Sequence, residues 1–530
     1  MPALLYALAA VCLLFPVQNP DLWWHLSAGR WIVENQALPR ADFLSHSRHG
    51  APWVDFEWLT QVVYYLVHKA FGCWGLVGLR VAVLSCVLSA GSAVLALHGW
   101  GRTAQALGAL WLAAALIPVA DLRPDNVSLL FFALLVLALE SRRLGKLKFN
   151  GPFWVGAALA FALWSNLHLA FLYGLVLIGA YAAGDVAEAY LPVVYGKGGR
   201  GSLEKTKDYA GLIGLGAAST LLNPYAGQLW GVLREHHDAL RLLQEFICEW
   251  QSPDVTQPSF RPFWGALVFA YGCAFAHFWR TRATPLGPLL ALFYFGLAAS
   301  QHQRHLSYLV LSALPVVALV RPPRWAGWGL GAALAAHVLF SAAPNTLLAD
   351  PSKPCYERAA NLAAYLERHK AALGGLRLYN QWGDGGYLGY RLAPDYKVYF
   401  DGRYLFHHML FETKEAFRRP DLWKRHLDRY GIELALIRRM TSHSSQHRVG
   451  RKIVYRPYPV TYFPDQDWAL VYFDQEDMIY VKRSAVDKKW LAANEIRWVR
   501  PDDEQWLAAM VDEGFVKKSV VEAEAARLRK

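Results

Sequence analysis

The stretch Asn19-Pro20-Asp21-Leu22-Trp23-Trp24-His25-Leu26 follows directly on an apolar opening, Met1 to Val17, and Trp53-Val54-Asp55-Phe56-Glu57-Trp58 comes soon after it. The opening is apolar enough to enter a bilayer. It has neither a basic leader nor a small-residue cleavage site, so it reads as a retained first helix. Carboxylates, an imidazole and tryptophans at the edge of such a helix are costly unless they serve a function there. The pattern points to an integral-membrane protein with its chemistry at the bilayer surface.

The totals agree. Of 530 residues, 55% are hydrophobic and only 18% charged, which is too apolar for an ordinary soluble chain of this size. The net charge of +12 does not point to nucleic acid, because the basic residues lie in short loops between apolar runs and in the C-terminal third. The six cysteines (Cys12, Cys73, Cys86, Cys248, Cys273 and Cys355) lack metal-ligand spacing, and several read as small hydrophobes inside apolar runs.

Apolar segments recur to about Phe340 and then stop. Phe56 to Phe71 carries Glu57, Gln61, His68 and Lys69; it is too polar to span and reads as an amphipathic interfacial helix. Spans follow at about 76–98, 104–119, 126–140, 153–167, 169–184, 209–222, 263–279, 286–300, 306–320 and 325–342, which with the opening helix makes about eleven. With the first loop, 19–74, outside, the opposite face collects Arg102, Arg142, Arg143, Lys146, Lys148, Lys197, Arg200, Lys205, Lys207, Arg280, Arg282, Arg321 and Arg324. That is the charge bias of a cytoplasmic side. The expected fold is therefore a multi-pass α-helical membrane domain, 1–343, in a bacterial cytoplasmic membrane, followed by a soluble extracytoplasmic α/β domain, 344–530. Tyr195 to Ser202 reads as a flexible link.

In this orientation nearly every unusual polar motif falls on the outer face. Asp21, at the start of an interfacial helix running to about Asn35, either caps that helix or acts as a general base on an acceptor hydroxyl, its basicity raised by partial desolvation. His25, one turn on, can share its face and orient it. Trp23 and Trp24 are either belt aromatics or a sugar-stacking platform. Asp55 and Glu57 complement a helix dipole, join the catalytic group, or hold a divalent cation, although no spacing here forms a recognised cage. In Asp121-Leu122-Arg123-Pro124-Asp125, the arginine either pairs with a neighbouring aspartate or clamps a phosphate. Gln301-His302-Gln303-Arg304-His305 opens an apolar span at a cost that favours function. Asn166 and His168, at a helix end, are similar candidates, and Glu249 either binds substrate or pairs with Arg234 or Arg241.

In the C-terminal domain, strands are expected at Arg377–Asn380 and Ile432–Ile437, a strand and turn over Lys397–Arg403, and a hairpin of Trp468–Phe473 and Met478–Lys482. Helices are expected at 356–370, 407–418, 421–430 and 502–528. Gly383-Asp384-Gly385-Gly386 reads as a turn without phosphate-loop spacing. Asp401-Gly402-Arg403 reads first as a turn and second as part of an acceptor site.

The N-terminal half resembles the C-type (GT-C) glycosyltransferase superfamily, which includes the aminoarabinose transferases of lipid A and the protein O-mannosyltransferases. Asn19-Pro20-Asp21 stands where those families carry a proline-aspartate motif. Asp55-Phe56-Glu57 falls near their second acidic position, and Phe71-Gly72-Cys73-Trp74 with Leu79-Arg80 resembles their phenylalanine-glycine break. Taken whole, the chain looks most like bacterial membrane proteins grouped with glycosyltransferase family 39. Leu22 and Trp58 depart from the pattern, replacing an acid and a lysine. The resemblance implies a membrane transferase of the cell envelope that inverts at the sugar carbon. It implies a polyprenyl-phosphate sugar donor, a lipid, glycan or protein acceptor, Asp21 as base, and Arg123, Arg304 or His305 on the donor phosphate. A lipid-linked glycan ligase or oligosaccharyltransferase is the alternative, and a non-enzymatic transporter or assembly component of the cell envelope is a third reading. Transport would place polar residues midway along the spans, whereas here they gather at the outer ends.

Overall fold

The structure is a computed structural model and describes residues 2–11, 13–190, 203–257, 260–320 and 351–529. The last predicted span, the predicted domain boundary, the link 195–202, Cys12, Arg321 and Arg324 lie outside the described residues. The chain divides into two compact units: Met1–Asn19, Ala28–Pro39 and Val54–Tyr356 form one, and Pro20–Ser27, Arg40–Trp53 and Glu357–Lys530 form the other.

The first unit is helical. Its helices are α1 (Pro2–Val11), α2 (Leu22–Asn35, whose first residues belong to the second unit), α3 (Trp58–Leu97), α4 (Arg102–Leu116), α5 (Asp125–Arg143), α6 (Gly151–Leu167), α7 (Phe171–Tyr190), α8 (Leu203–Ser219), α9 (Gln228–Asp238), α10 (Leu240–Phe246), α11 (Arg261–Thr281), α12 (Leu286–Gln301) and α13 (Leu306–Val317). A helix stands at each predicted span up to 306–320. Two of them, α3 and α7, are long and apolar enough to cross a membrane by length and composition. The opening helix is shorter than expected, ending at Val11.

Helix α3 is not continuous. Gly72 has φ 60° and ψ −156°, so the helix breaks there, at a residue that enters positive φ without a Cβ penalty. The break separates the amphipathic 58–71 segment from the apolar run behind it, as its composition suggests. Cys73, next in the chain, forms a disulfide with Cys355 across 282 residues. Neither is therefore a simple apolar filler, and nothing in their spacing announces the pairing. At the other end of this helix layer, the fully buried Glu140 carboxylate accepts from Arg143 at 2.5 Å and from the Tyr181 hydroxyl at 3.0 Å, and lies 2.7 Å from His98 Nε2. Arg142 bonds Asp208 at 2.7 Å. Two of the bases read as topology signals thus also make ion pairs.

The second unit carries a four-stranded sheet in the order β1-β2-β6-β5, where β1 is Leu378–Tyr379, β2 Leu434–Arg438, β5 Trp468–Phe473 and β6 Asp477–Lys482. β1 and β2 are parallel; the other pairs are antiparallel, with Ala435 opposite Tyr480 and Ala469 opposite Val481. A separate hairpin, β3 (His443–Val449) with β4 (Lys452–Pro457), was not expected. The predicted strand at 397–403 is absent: Val398 makes a single bridge to Ser45. Gly383 to Gly386 is not a free turn but runs into a helix, Gly385–Leu392, and the predicted 502–528 helix is two, Glu504–Asp512 and Lys518–Leu528.

One ion cluster fastens the Arg40–Trp53 segment within this unit. Arg403, 2% exposed, grips Asp401 with Nε (2.9 and 3.1 Å) and Nη2 (2.8 Å), and reaches Asp42 with the same Nη2 at 2.7 Å. The guanidinium lies over Trp53, 4.7 Å from its ring centre. Removing one member of a buried ion cluster strands the others without solvent and costs about 3–5 kcal/mol. Arg403→Ala is expected to lower the melting temperature and open the C-terminal unit to limited proteolysis, and Arg403→Lys, which cannot make the fork, to do so partially.

Candidate active site

In the first unit, four chain segments bring polar groups to one place. Pro124 and Asp125 start α5, where a carboxylate complements the helix dipole. His168 ends α6, Glu57 precedes α3, and the 3₁₀ turn Gln303–His305 joins α12 to α13. His168 lies 3.6 Å from Glu57 Oε1 through Nε2 and 3.6 Å from Asp125 Oδ1 through Nδ1. Asp125 Oδ1 accepts from the Tyr308 hydroxyl at 2.5 Å. Tyr308 stacks edge-on against Tyr173 (4.7 Å between centroids), and the Tyr173 hydroxyl sits 2.7 Å from His305 Nε2. The ring of His302 lies 5.5 Å from that of His305, and its Nδ1 meets the Trp250 carbonyl at 2.7 Å.

The bonding assigns the His168 tautomer. Trp164 Nε1 donates to Ser128 Oγ (2.7 Å), so the Ser128 hydroxyl is left to donate to His168 Nδ1 (2.9 Å), and the Ala170 amide donates to the same nitrogen (3.3 Å). Nδ1 is therefore the acceptor, and the proton sits on Nε2, facing Glu57. Burial, opposed by Asp125 and reinforced by Arg304, pushes this imidazole down to about 4. Burial, with Arg304 and His302, pushes His305 down to about 3. Both rings are neutral at neutral pH.

The arginines divide into two kinds. Arg80, fully buried, bonds Asp121 at 3.1 Å, the Leu13 carbonyl at 3.0 Å and the Phe15 carbonyl. Arg123 pairs with Glu249 rather than with Asp121 or Asp125, and Glu249 pairs with neither Arg234 nor Arg241. Arg304 is different: it lies 4.4 Å over the Trp250 ring and makes no ion pair with a carboxylate among the described residues. Two other candidates are held by structural bonds. Asn166 accepts from Trp58 Nε1 (3.0 Å) and donates to the carbonyls of Ala162 and Leu222, and Asp55 accepts from Gln61 Nε2 at 2.6 Å.

Asp21, Trp23, Trp24 and His25 belong to the second unit. Asp21 Oδ1 accepts from Trp24 Nε1 at 3.2 Å, and the His25 amide donates to the Asp21 carbonyl at 3.2 Å, closing the first turn of α2. The His25 ring packs 3.7 Å from that of Trp24. Trp23 and Trp24 are 4% and 7% exposed, and Trp23 meets Tyr387 and Tyr390 at 4.9 and 5.4 Å. Both indoles are core aromatics here and present no open face. Among the described residues no three of His, Cys, Asp and Glu gather as a metal cage. Ser128, Tyr173 and Tyr308 were not anticipated: an aromatic or serine inside an apolar run carries no sign of a polar partner.

No protein-family model matches the chain, and no curated protein matches it. Solved structures do, 17 chains in all. Archaeal oligosaccharyltransferase AglB from Archaeoglobus fulgidus, in complex with an inhibitory peptide and a dolichol-phosphate, is 7% identical, with a TM-score of 0.61 over 97% of this chain and 83% of that one. The Archaeoglobus fulgidus oligosaccharyltransferase tethered to an acceptor peptide containing the NVT sequon is 9% identical (TM-score 0.53, 86% of this chain and 74% of that one). Its complex with Zn and sulfate is 10% identical (TM-score 0.50, 82% and 67%). The chain shares the fold of these oligosaccharyltransferase structures. A helix-rich unit and a second unit that carries sheets match the coarse architecture expected from the sequence.

The neutral histidines set a pH response. A histidine whose folded value lies below its unfolded value of about 6.5 binds fewer protons folded than unfolded, so its stabilisation is lost as pH falls through that window. Thermal melting in detergent is expected to fall progressively from about pH 6.5 to pH 4, and His168→Gln to flatten that slope.

Proposed function

We propose that this protein is a membrane glycosyltransferase that moves a glycan from a polyprenyl-phosphate-type carrier to an acceptor at the outer face of the cytoplasmic membrane. The oligosaccharyltransferase neighbours favour transfer of a lipid-linked glycan over transfer of a single sugar. The observation that carries the reading is Arg304: a guanidinium without a carboxylate partner among the described residues, stacked on Trp250 and set among imidazoles kept neutral by burial. Such a charge suits an anionic ligand with oxygens to share, and a planar guanidinium matches phosphate geometry.

In the proposed reaction Asp21 takes the proton from the acceptor nucleophile as the nucleophile bonds to the anomeric carbon. The carbon–oxygen bond to phosphate breaks on the opposite side, inverting the centre, and the electron pair leaves with the phosphate. Arg304 offsets the charge that develops there, with His302 and His305 beside it as hydrogen-bonding groups. Glu57 faces the His168 Nε2 proton and orients the ring, Asp125 is held by the Tyr308 hydroxyl, and Asp55 acts through Gln61. Arg123, Glu249 and Asp121 hold the helix ends that carry the site. Asp55 and Glu57 would be the ligands of a divalent cation, and one neighbour was solved with zinc. The disulfide Cys73–Cys355 supports placing the end of the first loop and the start of the C-terminal domain on an oxidising, extracytoplasmic side.

Asp21→Asn is expected to abolish transfer with folding intact, and Arg304→Gln to lower it by about 100-fold or more by removing a charge-stabilising group. The assay is mass spectrometry of envelope glycans and polyprenyl-linked sugars in a deletion strain carrying each variant. Donor should accumulate and glycan should be missing; an unchanged envelope in the Asp21→Asn strain removes the mechanism. Topology has a separate check. In Cys73→Ser, the freed Cys355 is expected to react with a membrane-impermeant maleimide only after the outer face is made accessible, while wild-type protein resists at that residue until reduced.

A further inference from the structure

We propose that Gly402, in the Asp401-Gly402-Arg403 turn, is a positioning residue: its bare α-carbon is the seat of the Asp21 carboxylate. The inference rests on the reading of Asp21 as the base. A Cβ placed on Gly402 would lie 1.8 Å from Asp21 Oδ1, 2.8 Å from its Cγ and 3.1 Å from Trp24 Nε1. Trp24 Nε1 itself donates to Asp21 Oδ1 at 3.2 Å. The carboxylate is thus held between an indole N–H on one side and a backbone without a side chain on the other. Gly386 does the same for the motif's main chain, where a Cβ would lie 2.8 Å from the Pro20 carbonyl oxygen and 3.3 Å from the Trp24 nitrogen.

A plain turn requirement does not account for these glycines. Neither Gly402 nor Gly386 has a positive φ, so any residue could adopt their backbone conformations, and only close approach calls for glycine. Nor can the seat easily retreat. Asp401 accepts from the Arg403 amide at 3.1 Å and from its guanidinium, and Arg403 is tied in turn to Asp42. The C-terminal unit therefore does more than follow the transferase half in sequence: its two glycine-bearing segments set where the carboxylate points. This gives the Asp401-Gly402-Arg403 motif a task beyond reversing the chain.

The geometry separates function from stability. The atom that a methyl group at 402 would meet first is the terminal oxygen of a side chain, not main chain. Gly402→Ala should displace the carboxylate by more than an ångström and leave the fold standing. A shift of that size in a catalytic group costs on the order of 100-fold in rate. The test uses the full chain in detergent with the lipid-linked glycan pool extracted from the deletion strain as donor and that strain's envelope extract as acceptor. Gly402→Ala is expected to lower kcat about 100-fold while donor KM and melting temperature stay at wild-type values. Gly389→Ala, whose Cβ would meet Val398 at an ordinary 3.6 Å, is expected to match wild type. Full kcat in Gly402→Ala beside an inactive Asp21→Asn overturns the seat and leaves the base standing; an active Asp21→Asn overturns both. Should Gly402→Ala fail to fold, Asp21→Glu drives the carboxylate one methylene further against the same α-carbon. Loss of kcat there at unchanged melting temperature is expected, and wild-type kcat overturns the seat.

Discussion

A charge that leaves water must find its counter-charge inside the protein, and in the helical unit the pair that meets this demand first is Arg80 with Asp121. The arginine is fully buried and spends its donors on Asp121 and on the carbonyls of Leu13 and Phe15. The aspartate accepts in turn from the amides of Gln18 and Leu122. One ion pair thereby ties the stretch after the first helix to the second half of α3 and to the turn into α5. Asp125, the first residue of α5, stands four positions after that pair.

The same accounting separates scaffold from chemistry. Arg123 is neutralised by Glu249, Glu140 by Arg143, and Arg403 by two aspartates. Groups so compensated hold elements together and have little left to offer a ligand. The unusual groups are those where compensation stops: a guanidinium resting on an indole, and imidazoles that burial keeps uncharged. An apolar protein of this kind carries such imbalances only where something else completes them.

Much of this was legible in the sequence, for a physical reason. Polar residues at the ends of apolar runs have few places to go, so Glu57, Asp125, His168, His302, Arg304 and His305 could be expected to share a face, and Gly72 marked a break between a polar and an apolar helix. What could not be read depends on distant or disguised partners. Tyr173 and Tyr308 sit in apolar helices and look like filler until their hydroxyls find His305 and Asp125. β3 lacks alternation, since His443-Ser444-Ser445-Gln446-His447-Arg448 is polar throughout, so no periodicity marked a strand. Lys397–Arg403 had strand-like residues, but among the described residues its one bridge is Val398 to Ser45. Nor does anything local to Pro20–Ser27 say that it packs with residues more than three hundred positions away.

The disulfide carries a consequence for how the protein is made. Cys73 is synthesised early and its partner almost at the end of the helical unit, 282 residues later. On the proposed topology, nearly all membrane segments must be threaded and the chain must re-emerge on the oxidising side before the bond can close. Its formation is then a late checkpoint in biogenesis, a covalent record that the helical half was inserted in full and the right way round.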